Sequence, residues 1–244
     1  LFRRGHNEEH TIVSDLRKIG IDIRDVGNNQ ARVEFGSHVS GSIDGVIKSG
    51  VPGHETEQFI AEFKTHNQKS FDGVARKGVQ VSKPAHYAQM QVYMLGKKIH
   101  KSLYIAINKN NDEMYTEIVE FDKECAERLL RKGEWISLAD EAPPRISKDP
   151  TWFACKFCPA KHICSGEPTK QINCRTCAHS EPKPNGTWTC NRHNADNIPE
   201  DFQHKGCEDH ILHRDVVPWT RMGGDDPNVV TFEINGEFIK NGKC

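Results

Sequence analysis

The sequence predicts a mixed α/β (α+β) chain: a mixed sheet flanked by helices over residues 1–150, followed by a small cysteine-rich module. Three observations carry this. Up to residue 139, runs with apolar residues at helical spacing are interleaved with short runs of strand character. The strand-like runs are rich in Val, Ile, Phe and Tyr and are bounded by Gly, Pro or Asn. Of nine cysteines only Cys125 precedes residue 155. The domains read as a core over 1–150, a Cys-rich segment over 151–166, and a second Cys-containing module with a terminal hairpin over 167–244.

Residues 3–19 read as a helix, with Ile12, Val13, Leu16 and Ile19 on one stripe. Residues 22–26 and 31–36 read as strands around an Asn-Asn turn, and VSGSIDGVI (39–47) and FIAEFKT (59–65) as central strands. Residues 66–84 are polar and Gly-containing, which predicts a long mobile loop. Its Lys69, Arg76, Lys77 and Lys83 are candidates for gripping phosphates. A helix is expected over 85–99, with Pro84 suited to its first turn. Strands follow over 103–109 and 114–121, across an Asn-Asn-Asp turn. The next helix is capped by Asp122, with Cys125 a plain thiol in its first turn. Residues 142–150, APPRISKDP, read as a linker.

The chemistry concentrates at Asp44, Glu62 and Lys64. Side chains at i and i+2 of a strand share a face, so Glu62 and Lys64 project together. A hairpin pairing would bring Asp44 to the same spot. Two carboxylates beside an ammonium suit a hard divalent cation and an attacking water. A solvated salt bridge on an amphipathic hairpin is the plain alternative for these three residues alone.

Four features occur in order: Gly5-x3-Glu9, Asp44, Glu62-x-Lys64 and Gln89-x3-Tyr93. Together they resemble the PD-(D/E)XK nuclease superfamily, in its RecB-like and lambda-exonuclease-like branch. Ile43 stands where that motif has proline. The resemblance implies that Asp44 and Glu62, with the Phe63 carbonyl and Glu9, hold one or two Mg²⁺ or Mn²⁺ ions. Lys64 would orient or deprotonate the water, and Gln89 would hold Lys64, the water or a phosphate. Tyr93 would pack against DNA or brace its helix, and His6 resembles a histidine found in some RecB-like members. The activity implied is a metal-dependent DNA exonuclease of phage recombination or DNA end processing. Two other readings stay open: a non-catalytic zinc-ribbon DNA-binding or adaptor protein on a nuclease fold, and a DNA endonuclease. A homo-oligomer and an annealing partner protein are open on the resemblance alone.

Cys155-x2-Cys158-x5-Cys164 is similar to the iron–sulfur tail of CRISPR-associated and AddB-type exonucleases. Their fourth cysteine precedes the Gly-x3-Glu helix, and this sequence has none there. The triplet is therefore left open between a 4Fe–4S cluster and a Zn²⁺ completed by His162, Cys125 or another histidine. Cys174-x2-Cys177, Cys190 and Cys207 form a zinc-ribbon-like set, with His179, His193, His204 and His210 as substitutes. So polar a stretch builds little core without a staple. Residues 229–240 predict a hairpin over an Asn-Gly type I′ turn. Cys244 reads as a bystander.

Net charge is −1, so nucleic-acid affinity must come from local patches and bound metal. Mean hydropathy is −0.69, and no apolar run approaches membrane-span length. The chain opens Leu-Phe-Arg-Arg-Gly, without the apolar core of a signal peptide and without an initiator Met. Clustered CxxC pairs in such a chain predict a reducing cytoplasm, that of the host cell if phage-encoded. DNA is the expected partner, and no membrane is.

Overall fold

The acid-bearing strand Phe59–His66 lies at the centre of a five-stranded mixed sheet. The computed structural model describes residues 2–36, 38–139, 143–169, 171–223 and 228–242, without the side chains of Phe2, Arg3, Arg4 and His6. The His6 side chain and Cys244 therefore lie outside the described residues. Two units divide the chain, Leu1–Leu138 and Ala139–Cys244.

The first unit runs α1 (Phe2–Lys18), β1 (Asp22–Arg24), β2 (Arg32–Glu34), β3 (Ser40–Ser42), β4 (Gly45–Ser49), β5 (Phe59–His66), α2 (Gln68–Ser82), α3 (Pro84–Lys97), β6 (Lys101–Asn108), β7 (Met114–Glu120) and α4 (Lys123–Leu138). The sheet order is β1-β4-β5-β6-β7. The β5–β6 pair is parallel, and the other neighbours are antiparallel. Parallel neighbours need a crossover over one face, and α2 and α3 provide it. Alternation along β5 then splits the strand between two cores. Ile60 joins Val74, Met90, Met94 and Tyr104 beneath α2 and α3, whereas Phe59, Ala61 and Phe63 join Ile12, Val13 and Leu16 of α1. Burial on both faces explains the nearly continuous apolar run of FIAEF.

The segment expected as a mobile loop over 66–84 is the helix α2. Asn67 caps it, its side chain accepting from the Ser70 N–H at 2.9 Å. Phe71 and Val74 are buried one turn apart, and Gly78, at φ 73°, kinks the helix before Val79 is buried again. Glu117 of β7 holds the kink by accepting from the Val79 N–H at 2.8 Å. The strands expected around the Asn-Asn turn form, but do not pair with each other. Gly27–Asn29 is a 3-10 turn, β1 pairs with β4, and β2 pairs with β3. Asp122 caps α4, accepting from the Cys125 N–H at 2.9 Å.

The second unit contains the one-turn helices α5 (Phe153–Lys156) and α6 (Lys161–Cys164), the hairpin β8 (Ser180–Pro182) and β9 (Trp188–Cys190), the short α7 (Glu200–Gln203), and the sheet β10 (Thr220–Met222), β11 (Val229–Ile234) and β12 (Glu237–Gly242). Asn235 at φ 53° and Gly236 at φ 87° make the β11–β12 turn with both central residues in the left-handed region, as type I′ requires. Its small core is Ile211, Val217, Val230 and Phe232, packed against Ala178 and Leu212 of the cysteine-bearing segment. Among the described residues no helix is long and apolar enough to cross a membrane.

Candidate active site and metal centres

Asp44 sits where β4 diverges from β5. Its Oδ2 accepts from the Phe63 N–H at 2.9 Å, so the side chain takes over the edge that strand pairing has left. A residue in an extended strand presents its N–H and C=O to the same side. The Phe63 carbonyl therefore faces the Asp44 side too, where the expected extra oxygen ligand would need to be.

Glu62 and Lys64 project from β5 onto the face covered by α2 and α3. The Lys64 ammonium contacts Glu62 Oε1 directly and lies 3.6 Å from Asp44 Oδ2. One ammonium thus bridges both acids. Glu62 is 0 % exposed; the Lys64 ammonium occupies its Oε1, and its Oε2 is buried with no hydrogen-bond partner. Burial pushes its pKa up to about 7; Lys64 opposes this and Asp44 adds to it. Burial works against the Lys64 charge as well, but Glu62 and Asp44 outweigh it and hold the ammonium above its ordinary range. A buried carboxylate with one unused oxygen beside a second acid fits the donor set of a hard cation.

Gln89 and Tyr93 lie one turn apart on α3, and the Gln89 amide donates to the Tyr93 hydroxyl at 3.1 Å. Burial raises the Tyr93 pKa, and Glu62 and Asp44 add to that rise, so the phenol borders the acids. Tyr93 packs against β3 so closely that a Cβ at Gly41 would stand 2.7 Å from its hydroxyl. Gln91, fully buried, donates to the Glu120 carbonyl at 3.0 Å and accepts from the Asp122 N–H at 2.7 Å. It pins α3 over the sheet.

Glu9 does not join this network among the described residues. Its carboxylate accepts from the Gln30 amide at 2.9 Å, and α1 packs on the opposite face of the sheet from Glu62. Lys69, Arg76 and Lys77 are exposed on α2, and Lys83 is half-buried at the α2–α3 junction. The phosphate-gripping candidates therefore stand on a helix.

Sequence reasoning missed four residues beside the acids. Tyr104 faces Glu62 in the β5–β6 register, and its hydroxyl lies 2.9 Å from His66 Nε2 and 3.0 Å from His86 Nδ1. Ser70 Oγ lies 3.1 Å from His66 Nδ1, and the two imidazoles stack at 5.7 Å. The period-two pattern did place His66 on the Glu62 face. His86 shares its helical stripe with Gln89 and Tyr93, which was the other available signal.

In the second unit, Cys174, Cys177, Cys190 and Cys207 line one cavity, with His179, His193, Asp209 and His210. Burial raises the Cys174 pKa, and Cys207, Cys177 and Cys190 are near enough to raise it further. His193, Cys207 and Asp209 offer donor atoms within 4.8 Å of one another, and form the one such group among the described residues. Asp209 was not among the expected ligands; its signal was the spacing Cys-x-Asp-His at 207–210. His204 does not line this cavity. Cys155 lies on α5, Cys158 just beyond it and Cys164 at the end of α6. His162, between them, has a buried Nε2 with no hydrogen-bond partner. That orphaned nitrogen fits a metal-binding role for the segment.

No protein-family model matches the chain, and no curated protein matches it. Among solved structures, the crystal structure of SSO0001 aligns with a TM-score of 0.39 and 18% identity, over 64% of this chain and 69% of that one. That overlap is too loose to argue from, and the sheet and its side chains stand on their own geometry.

Proposed function

We propose that the chain is a metal-dependent deoxyribonuclease of the exonuclease type, acting in DNA recombination or end processing. One observation carries the reading: Asp44 and Glu62 converge on the Lys64 ammonium while the second Glu62 oxygen, Oε2, stays buried without a hydrogen bond. Asp44, Glu62 and the Phe63 carbonyl would hold Mg²⁺ or Mn²⁺, which supplies Lewis-acid polarisation of a phosphodiester. Lys64, kept charged by its two acids, donates to and orients a water rather than taking its proton. Asp44 is fixed by the Phe63 N–H, so its free oxygen keeps one direction. Gln89 and Tyr93 close the site from α3, and Lys69, Arg76, Lys77 and Lys83 supply phosphate contacts.

In the second unit the four cysteines of the cavity hold a structural Zn²⁺. Cys155, Cys158 and Cys164, with His162, hold Zn²⁺ or take part in an iron–sulfur site. These metals staple a segment with little apolar core and present a surface to DNA or protein. Such thiolate sites and a DNA substrate fit a reducing, cytoplasmic setting.

The deciding assay incubates linear and closed circular duplex DNA with the protein and Mg²⁺ or Mn²⁺, with Glu62→Ala as control. Digestion of linear DNA alone, lost in Glu62→Ala, supports the reading. Cleavage of circles makes it an endonuclease, and no digestion of either leaves a binding protein. Metal analysis with a visible spectrum near about 400 nm separates zinc from iron–sulfur.

A further inference from the structure

A hydrogen-bonded chain beside the acids has no role in the function proposed above. It runs Ser70 Oγ, His66, the Tyr104 hydroxyl, His86, with steps of 3.1, 2.9 and 3.0 Å. Tyr104 is 0 % exposed and His66 is 7 % exposed. His86 is half-buried, and its Nε2 has no partner among the described residues and is not sealed from solvent. The chain therefore runs from the first turn of α2 through the buried Tyr104 and ends on one free ring nitrogen within electrostatic reach of Lys64.

The proton count limits what that nitrogen can be. A phenol carries one proton, so Tyr104 donates to one imidazole and accepts from the other. Burial lowers the pKa of both rings to about 4, with Lys64 and Lys83 acting on each and Lys109 also on His66. Each ring is then neutral at neutral pH and carries one N–H. Two arrangements satisfy every bond. In one, Ser70 donates to His66, His66 to Tyr104 and Tyr104 to His86, leaving the His86 Nε2–H as a free donor. In the other, every bond reverses and Nε2 is a free acceptor. An anion drawn in by Lys83 selects the first, because only a donor can meet it.

We infer that His86 Nε2–H donates to a backbone phosphate oxygen of the nucleic acid, next to the phosphodiester held at Asp44 and Glu62. Tyr104, His66 and Ser70 are positioning residues that fix its tautomer. The identity of the anion rests on the nuclease reading. The contact itself needs no metal, and because the donor is neutral it adds aim without adding to counterion release.

The test measures binding of a labelled linear duplex by anisotropy, with Ca²⁺ in place of Mg²⁺ to hold the DNA uncut, at several salt concentrations. His86→Ala should weaken binding about ten- to a hundredfold, the range for a hydrogen bond to a charged group, with the salt slope unchanged. Affinity within about twofold of wild type, in a variant with a native circular dichroism spectrum, overturns the inference. ¹⁵N NMR of the wild-type complex gives a readout that needs no variant. The His86 proton should sit on Nε2, and Tyr104→Phe should mix the two tautomers. A proton on Nδ1 of His86 in the wild-type complex overturns the inference. Mg²⁺-dependent cleavage by wild type, lost in Glu62→Ala, is scored separately. Weakened binding without any cleavage retires the nuclease reading and keeps the phosphate contact; cleavage with unchanged binding does the reverse.

Discussion

Glu62→Gln tests whether the buried acid carries the electrostatic load assigned to it. Folding raises the Glu62 pKa from 4.5 to about 7. A carboxyl raised on folding is protonated in the native chain while it is still ionised in the unfolded one. Between those two values the native state holds the extra proton, so its stability falls as pH rises through the window. A separation of that size corresponds to about 3 kcal/mol. Gln has no proton to exchange, so the variant loses this dependence. Both proteins are unfolded in urea with chelator at pH 5 and pH 8. The fall in stability between the two pH values should be larger in wild type by about 3 kcal/mol. Saturating Mg²⁺ should shrink that excess, because a bound cation keeps the carboxylate ionised. Equal falls in the two proteins would mean that Glu62 is hydrated or fully neutralised by Lys64, and the reasoning would fail.

With Glu62 silenced, the same variant exposes His66 and His86. Their folded values lie near about 4, below the ordinary 6.5, so stability should be full above pH 6.5 and decline as pH falls toward 4, read by urea unfolding. Lys64→Met removes the ammonium shared by both acids; it should cost roughly 3–5 kcal/mol at pH 8, recover at pH 5 where Glu62 can protonate, and abolish cleavage. Gly41→Ala places a Cβ 2.7 Å from the Tyr93 hydroxyl; nuclease activity should fall about tenfold or more without loss of secondary structure by circular dichroism. Cys174→Ser should release one Zn²⁺ equivalent by elemental analysis and lower the melting temperature of the second unit, with nuclease activity on short DNA retained.

Asp44, Glu62 and Lys64 were legible because strand periodicity alone puts residues 62 and 64 on one face, and Gly41 and Gly45 mark where the Asp44 segment bends. The helix α3 was legible from its apolar spacing and Pro84. The helix α2 was not: its buried stripe is only Phe71, Val74 and Val79, broken by the left-handed Gly78, and its surface is as polar as a loop. The Asn28-Asn29 turn misled in another way. Turn chemistry predicts where the chain reverses, but the flanking strands found partners far along the chain, in β4 and β3. Glu9 sits on a correctly expected helix, yet periodicity cannot say which face of the sheet that helix will cover. His66, Tyr104 and His86 become neighbours only through parallel pairing and a crossover, which no local pattern encodes.

The parallel pairing of β5 with β6 has one more consequence. The chain must travel over the sheet between the two strands, and that single excursion, residues 67–100, carries Lys69, Arg76, Lys77, Lys83, His86, Gln89 and Tyr93. The acids and their lysine belong to the strands beneath it. On the function proposed above, most of the substrate contacts and the metal-holding acids are thus written on separate pieces of sequence. Drift or grafting within 67–100 can then retune what the site holds while the carboxylates stay as they are.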